Sequence, residues 1–319
     1  MTGAEPQIVH ASEIVASAVF LFAATGSGTL SLYVMTRWVW LKGWPTKLFR
    51  DSRRARVAAS IVLVLGLFLG VWAWCVEPRT LKTTTLRMER ACAAPGPPRR
   101  FAFISDLHVE PGWFMEGKLA RRVAELAPDA ILLGGDYLNV ADPESTAMLE
   151  AEARALAAVA PTYAVMGNVD AYRTCSRDIL RRAGVQMLEG EAADLGGGVR
   201  VFGAGYLDAA ALETAGAGSD PARFDICLTH APGIIPEAAR LGFDLYLCGH
   251  THGGQVRIPL WGALITLAVH GKRFECGRYE VEGMTAYVTR GVGLEGGRFT
   301  PRVRFLCPPE IVLVELVAE

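Results

Sequence analysis

The chain has 319 residues, with 32 Lys and Arg set against 33 Asp and Glu. That balance excludes recognition by bulk attraction to a polyanion, so nucleic acid is not an expected partner. The seven cysteines, Cys75, Cys92, Cys175, Cys227, Cys248, Cys276 and Cys307, show no CxxC spacing, which argues against a zinc ribbon or a dithiol redox motif.

Reading along the chain, the apolar excess lies at the N-terminus. Residues Ile14 to Thr36 form an uncharged, largely apolar run, and Val57 to Val76 form a second. Each is about the ~20 residues that cross a hydrocarbon core as a helix. Residues 1–76 are therefore expected to be a membrane region with two transmembrane helices, about 14–36 and 57–76. Trp38, Trp40 and Trp44, then Trp72 and Trp74, stand near the span ends, where aromatic belts form. A cleaved signal peptide is the alternative for the first run; Glu5 and Glu13 in place of a basic start argue against it. The connector carries Arg37, Lys42, Lys47, Arg50, Arg53, Arg54 and Arg56 against Asp51 alone. The positive-inside rule then puts the connector in the cytoplasm and both chain ends outside. Arg79, Lys82, Arg87 and Arg90 after the second span weaken that bias, and the thiols lean toward the cytoplasm. The charge rule is followed here, giving a multi-pass protein of a bacterial inner membrane with its soluble part on the extracytoplasmic side.

Residues 77–100, ending in Ala94-Pro95-Gly96-Pro97-Pro98, read as a linker that cannot continue a helix. A soluble domain is expected over 101–319. Its strands are FAFIS (101–105), AILLGG (130–135), TYAVMG (162–167), VRVFGAG (199–205), FDICLTH (224–230) and DLYLCGH (244–250). Three more follow, RFECGRYEV (273–281), TAYVTR (285–290) and EIVLVEL (310–316). Cys227 and Cys248 interrupt such runs and read as small buried core residues. Helices fall over Lys118 to Leu126, Pro143 to about Ala160, and Ser176 to Ala183. Alternation followed by strands predicts a layered α/β or α+β sandwich with two sheets.

Five short clusters follow strand runs in order: Asp106-Leu107-His108, Gly135-Asp136, Gly167-Asn168-Val169-Asp170, His230, and Gly249-His250-Thr251-His252-Gly253-Gly254-Gln255. Ligands at several strand ends can converge on one rim of a sheet. Residues i and i+2 share a face, so Asp106 and His108 can grip one ion together. Carboxylate, imidazole and amide oxygen suit Mn, Fe or Zn rather than a thiolate site. Two such ions, about 3.5–4 Å apart, lower the pKa of a water between them and neutralise charge on a phosphoryl group. Asp136, in the middle, is the natural bridge. Each cluster alone is weak: Asp-x-His is commonly a surface pair and Gly-Asn-x-Asp a turn. Their joint order is what makes coincidence improbable.

The pattern DxH, GD, GNxD, H, GHTH resembles the calcineurin-like metallophosphoesterase superfamily over Phe101 to about Leu316. The resemblance implies a four-layer α/β/β/α sandwich and two divalent metal ions. It places Asp106, His108 and His252 on one metal and Asn168, His230 and His250 on the other, with Asp136 bridging; Asp136, Asn168 and His250 carry the catalysis. Gly253-Gly254-Gln255, the membrane segments and the Cys307-Pro308-Pro309 ending look like a bacterial membrane-associated branch, some of whose members cleave UDP-2,3-diacylglucosamine. Where the family often has His, this chain has Val169, which can neither protonate a leaving group nor orient a phosphate. That tilts the expectation toward anhydrides and activated diesters. The implied function is a membrane-anchored phosphoesterase acting on phosphodiester or pyrophosphate bonds, with the bilayer and a phosphorylated, lipid-linked substrate as partners. The alternatives are a broad extracytoplasmic phosphodiesterase or phosphatase and a non-catalytic metal-binding module.

Two further features have two readings each, and two further residues are not expected to be ligands. Arg257 to His270 is a loop and buried strand, or an apolar lip beside the site, with Trp113 and Phe114 as the facing lip. Arg173, Arg177, Arg181 and Arg182 are a solvated helix face, or a contact for phosphates. His270 lies outside the pattern and is not expected to bind metal. Asp170 is expected to shape its turn rather than bind metal.

Overall fold

The computed structural model describes residues 10–15, 17, 26, 28, 53–90, 98–215, 220, 222–296 and 302–318. Most of the first apolar run, 14–36, lies outside the described residues. The second forms helix α1, Arg53–Val71, continued by a π-helical turn over Trp72–Val76 and a 3-10 turn over Glu77–Arg79. Among the described residues this is the one helix long and apolar enough to cross a membrane, and protein covers almost none of its apolar stretch.

Strand β1, Lys82–Arg90, follows directly. This corrects the linker expected over 77–100. In KTTTLRMER only Leu86 and Met88 turn inward to the core, so the polar alternation of an edge strand reads like a tether. The chain continues through β2 (Arg99–Ile104), α2 (Lys118–Leu126), β3 (Ala130–Leu133), α3 (Pro143–Val159), β4 (Thr162–Ala164), α4 (Cys175–Arg182) and β5 (Gln186–Met187). Asp142 caps α3 by accepting the Ser145 N–H at 2.9 Å, with Pro143 in the first turn. A second run follows: β6 (Glu191–Gly196), β7 (Val199–Gly203), α5 (Ala209–Glu213), β8 (Phe224–Leu228), α6 (Ile235–Arg240) and β9 (Leu245–Cys248). The small hairpin β10 (Arg257–Ile258) and β11 (Gly262–Ala263) precedes β12 (Gly277–Val281), β13 (Met284–Val288) and β14 (Glu310–Ala318). The expected strand over 273–281 starts only at Gly277, because Gly271–Phe274 turns as a 3-10 segment that buries Phe274.

Two six-stranded sheets result, in the orders β1-β14-β2-β3-β4-β5 and β12-β13-β9-β8-β7-β6. They face each other across a core drawn from both, including Phe101, Phe103, Leu132, Ile226, Leu247 and Val314. Alternation along β2 sends Ala102 and Ile104 the other way, against Leu119 and Val123 of α2 and Leu149 and Leu156 of α3. On the second sheet Phe202, Tyr246 and Cys248 pack outward against Leu212, Ile235 and Ala238 of α5 and α6. The layers are therefore helices, sheet, sheet, helices. Trp113 is 5% exposed inside the first helical layer, which overturns the lip assigned to it; burying the indole there outweighs exposing it. Phe114 lies beside it, under the Arg79 guanidinium.

Strand polarity decides where the functional rim lies. β2, β3 and β4 run parallel, as do β7, β8 and β9. β14 runs against β2, pairing Val312 with Phe103, and β1 runs with β14 from Lys82 opposite Glu310. The start of β1 therefore lies at the same end of the sheet as the C-terminal ends of β2 to β4, and α1 joins the domain at that rim.

Candidate metal centre

The seven side chains singled out from the sequence all stand at this rim: Asp106 and His108 after β2, Asp136 after β3, Asn168 after β4, His230 after β8, and His250 and His252 after β9. Five of them sit at positive φ: Asp106 at 56°, His108 at 45°, Asp136 at 57°, His250 at 72° and His252 at 50°. Such a backbone costs roughly 1–3 kcal/mol per residue and persists only where the surroundings over-determine it. Here a lattice of main-chain bonds does so. Asp106 N–H donates to Gly135 O at 2.9 Å and His108 N–H to Asp136 O at 3.0 Å. The His250 N–H donates to the Asp106 carboxylate at 3.0 Å. A Cβ on Gly249 would lie 2.1 Å from Asp106 Oδ2, so only glycine lets the second sheet's loop close on the first sheet's carboxylate.

Two groups of donors form. In the first, His108 Nε2 and His252 Nε2 are 3.0 Å apart, and His252 Nε2 is 3.5 Å from Asp106 Oδ1. In the second, Asn168 Oδ1 is 3.0 Å from both His230 Nε2 and His250 Nδ1. Asp136 Oδ2 lies between them, 3.2 Å from His230 Nε2 and 3.8 Å from His108 Nε2. All but the half-buried Asn168 are buried.

The outward-facing nitrogens explain why these atoms converge. His108 Nδ1 donates to Asn139 Oδ1 at 2.7 Å, His230 Nδ1 to Gly134 O at 2.8 Å, and His250 Nε2 to Leu267 O at 3.3 Å. Each of these three rings then turns a lone pair inward, where it meets other lone pairs. His252 Nδ1 is buried with no partner among the described residues. Acceptors facing acceptors in a buried site repel unless a cation lies among them. Two nitrogens each about 2.1 Å from one cation stand about 3.0–3.4 Å apart, which matches the His108–His252 spacing. The donor set therefore fits divalent metal, and the outer hydrogen bonds are those that orient metal-binding imidazoles.

The titration tendencies are those of the site without a cation. Burial acts to lower His230, but the Asp136 and Asp106 carboxylates overcome it and push His230 up to about 10. Burial, aided by the charge on His230, brings His250 down to about 4, and burial beside His108 depresses His252. Burial would raise Asp136, yet the imidazoles of His230, His108 and His250 hold it below the carboxylate range. Burial raises Asp106. With no cation among these groups, a proton on His230 offsets the Asp136 charge, and a metal ion bound there would take that proton's place.

Among the supporting residues, Asn139 and Tyr206 had no sequence signal, whereas Asp170, Val169, His270 and the arginines did. Asn139, besides holding His108, donates to Glu110 Oε2 and Leu294 O, and its own carbonyl accepts from Arg173. Asp170 is 1% exposed and accepts the N–H groups of Asp136, Tyr137 and Gly167 at 2.8, 3.1 and 2.9 Å, so it builds the turn under Asp136. Burial, then the Asp136 charge, raises it to about 6. The Val169 N–H donates to Asp136 Oδ1 at 2.9 Å. His270 Nε2 donates to Gly233 O at 3.0 Å, away from the metal-binding set. Arg177 and Arg181 pair with Glu189 and Arg182 with Glu150, as a solvated face does. Tyr206 flanks His250 and His230, with ring centroids at 5.4 and 5.9 Å. It also lines a cavity of about 310 Å³ with Met166, Gly167, Asp170, Ala171, Thr174 and Arg177.

Comparison with known proteins gives a consistent picture. Residues 99–254 match the calcineurin-like phosphoesterase family. Phosphodiesterase YaeI of Escherichia coli is 32% identical over 231 residues, covering 69% of this chain and 83% of that protein. The UDP-2,3-diacylglucosamine pyrophosphatase LpxG of Chlamydia trachomatis is 25% identical over 335 residues, covering 82% and 98%. Among solved structures, the NAD nucleotidase NadN of Haemophilus influenzae aligns at a TM-score of 0.41 and 12% identity, covering 62% of this chain and 46% of that one.

Proposed function

The chain belongs to the calcineurin-like phosphoesterase family and is a metal-dependent hydrolase, and from that premise we propose that it is a membrane-anchored enzyme cleaving phosphodiester or pyrophosphate bonds of lipid-linked substrates. The observation that carries the reading is the inward convergence of seven nitrogen and oxygen donors at the rim where α1 joins the domain. In this proposal Asp106, His108 and His252 hold one divalent ion, Asn168, His230 and His250 a second, and Asp136 both. Bound there, Mn, Fe or Zn ions would polarise phosphoryl oxygens and acidify a water. The protein's own part is orientation. Asn139, Gly134 O and Leu267 O fix three imidazoles, Asp170 fixes the turn of Asp136, and Gly249 lets the two sheets' loops meet. Val169 supplies its N–H to Asp136 but no proton to a leaving group, so substrates whose leaving group departs as a stable anion are favoured. The cavity beside Tyr206 gives such a group a place next to the Asn168 side of the site.

An anchored domain with its site at the anchored rim suits a substrate that stays in the bilayer. UDP-2,3-diacylglucosamine, which the chlamydial relative's name specifies, has the required parts, namely acyl chains, a pyrophosphate and a nucleotide leaving group, and it is a candidate only for a site that faces the cytoplasm, where such UDP-linked precursors are made. The described start of the chain supports both ends lying on one side of the membrane. Glu13 is buried and accepts Thr266 N–H and Oγ1–H at 3.0 and 2.7 Å, so residue 13 lies against the catalytic domain. With the basic connector in the cytoplasm, that side is extracytoplasmic. A C-terminal reporter fusion read on each side of the membrane tests this. Cytoplasmic signal would reject the orientation and favour the UDP-linked substrate; periplasmic signal would favour other lipid phosphodiesters. Turnover of UDP-2,3-diacylglucosamine and bis(p-nitrophenyl) phosphate is expected to exceed that of an alkyl phosphomonoester. Faster monoester turnover would reject the role assigned to Val169.

A further inference from the structure

Among the described residues outside the N-terminal segments, few large apolar side chains are left in solvent, and three of them stand at loop tips tied to one another. Leu260 is fully exposed, Trp261 49% and Leu306 48%. Leu260 and Leu306 adopt φ of 68° and 53°, a left-handed backbone that leucine seldom takes. The two tips belong to one small assembly. Arg257 N–H donates to Phe305 O at 3.0 Å, and Phe305 N–H to Gln255 O at 2.9 Å. The same assembly clamps the end of the apolar helix: Arg304 N–H donates to Ala73 O at 3.0 Å, and Cys307 N–H to the Glu77 carboxylate. Glu77 in turn accepts from Trp72 Nε1 at 3.0 Å. Next to the tips are cations. Lys272 Nζ lies 5.3 Å from the Trp261 ring centroid, paired with Glu275 and donating to Ala263 O, and Arg273, one residue on, is exposed.

We propose that the tips Leu260-Trp261 and Leu306 insert into the interfacial layer of the bilayer that α1 spans, giving the catalytic domain a second lipid contact beside its anchor. This rests on the reading of α1 as a membrane span. Apolar tips flanked by an indole and by Lys and Arg are the composition of an interfacial contact, in which the ring sits at headgroup level and the cations meet anionic phosphates. The contact reaches the metal centre through one segment. The hairpin β10–β11 runs into Thr266, which binds Glu13, and into Leu267, whose carbonyl holds His250 Nε2. The loop that touches lipid thus also orients a metal-binding imidazole, and its docking sets the distance from bilayer to site.

The test uses the full chain in vesicles of phosphatidylcholine and phosphatidylglycerol at three to one, with a trace of diazirine-bearing phospholipid, followed by photolysis and peptide mass spectrometry. Labelling of the 255–263 and 302–307 peptides is expected at least tenfold above that of the 194–198 turn, which lies at the opposite end of the strands. Leu260→Asp with Trp261→Asp is expected to remove the loop labelling and leave that of α1. Labelled α1 with loop labelling no higher than the 194–198 turn would overturn the second contact and leave the anchor standing. No labelling in either would overturn both.

Discussion

The two ends of the same strands are built on different terms. At the end that carries the candidate metal centre, carboxylates and imidazoles are buried, and five of the seven proposed ligands hold a left-handed backbone. At the other end, ordinary solvated pairs close the sheet: Arg99 with Asp129 at 3.3 Å and Arg100 with Glu315 at 3.1 Å, mostly a third or more exposed. The Gly196–Gly198 turn there lies beside the Arg99 side chain. Left-handed backbone and buried charge thus gather at one end, where a cation would offset the charge, although Asp225 is buried against Arg200 and Ala127 and Glu282 hold positive φ at the other. The strands themselves do not require that concentration.

This contrast can be broken or sharpened in four ways. Asp136→Ala removes the one carboxylate shared by both donor groups. Turnover and metal content are expected to fall by more than about a hundredfold, beyond the 10–100-fold that loss of an outer partner costs. Elemental analysis with steady-state kinetics reads both, and retained activity would dissolve the rim's special status. Asn139→Ala touches no proposed ligand position itself but releases His108, so metal affinity should drop about 10–100-fold with the fold intact. Competition with a fluorescent chelator measures that drop, and circular dichroism checks the fold. Glu310, almost fully buried beside Arg290, is held below the carboxylate range: burial opposes this, and the Arg290 guanidinium prevails. A depressed folded pKa contributes stability that is complete above the unfolded value near pH ~4.3 and fades as pH falls through the folded one. Glu310→Gln should therefore flatten the acid limb of stability, read by urea melts between pH 3 and 6. Arg100→Ala at the far end should cost less than about 1 kcal/mol. A cost as large as that of the rim variants would show that the two ends do not differ as described.

What could be read beforehand, and what could not, follows the same division. The residues of the candidate metal centre announce themselves because rare side chains recur after runs of β-branched and apolar residues, and polarity of a parallel sheet then gathers them. β1 did not, since an edge strand with Thr and Arg on its open face shares the composition of a tether. Asn139 carried no spacing cue; its role arises from a loop that returns to His108 across thirty-one positions. Trp113 was misplaced for a related reason: next to the first ligand pair in sequence, it turns inward to the helical layer. The tips Leu260 and Leu306 look like core residues to any count of hydrophobicity, and only their backbone angles and exposure reveal otherwise.

The position of β14 has a consequence for biosynthesis. It follows every other strand in sequence, yet it lies between β1 and β2, making nine pairings with the former and five with the latter. Until β14 has left the ribosome, the strand that follows the apolar helix has no neighbour to pair with, and β2 lacks one side. Closure of the sheet therefore waits on β14, however early the other strands are made. A nascent chain stalled before β14 would present two open strand edges, a natural target for chaperones and proteases.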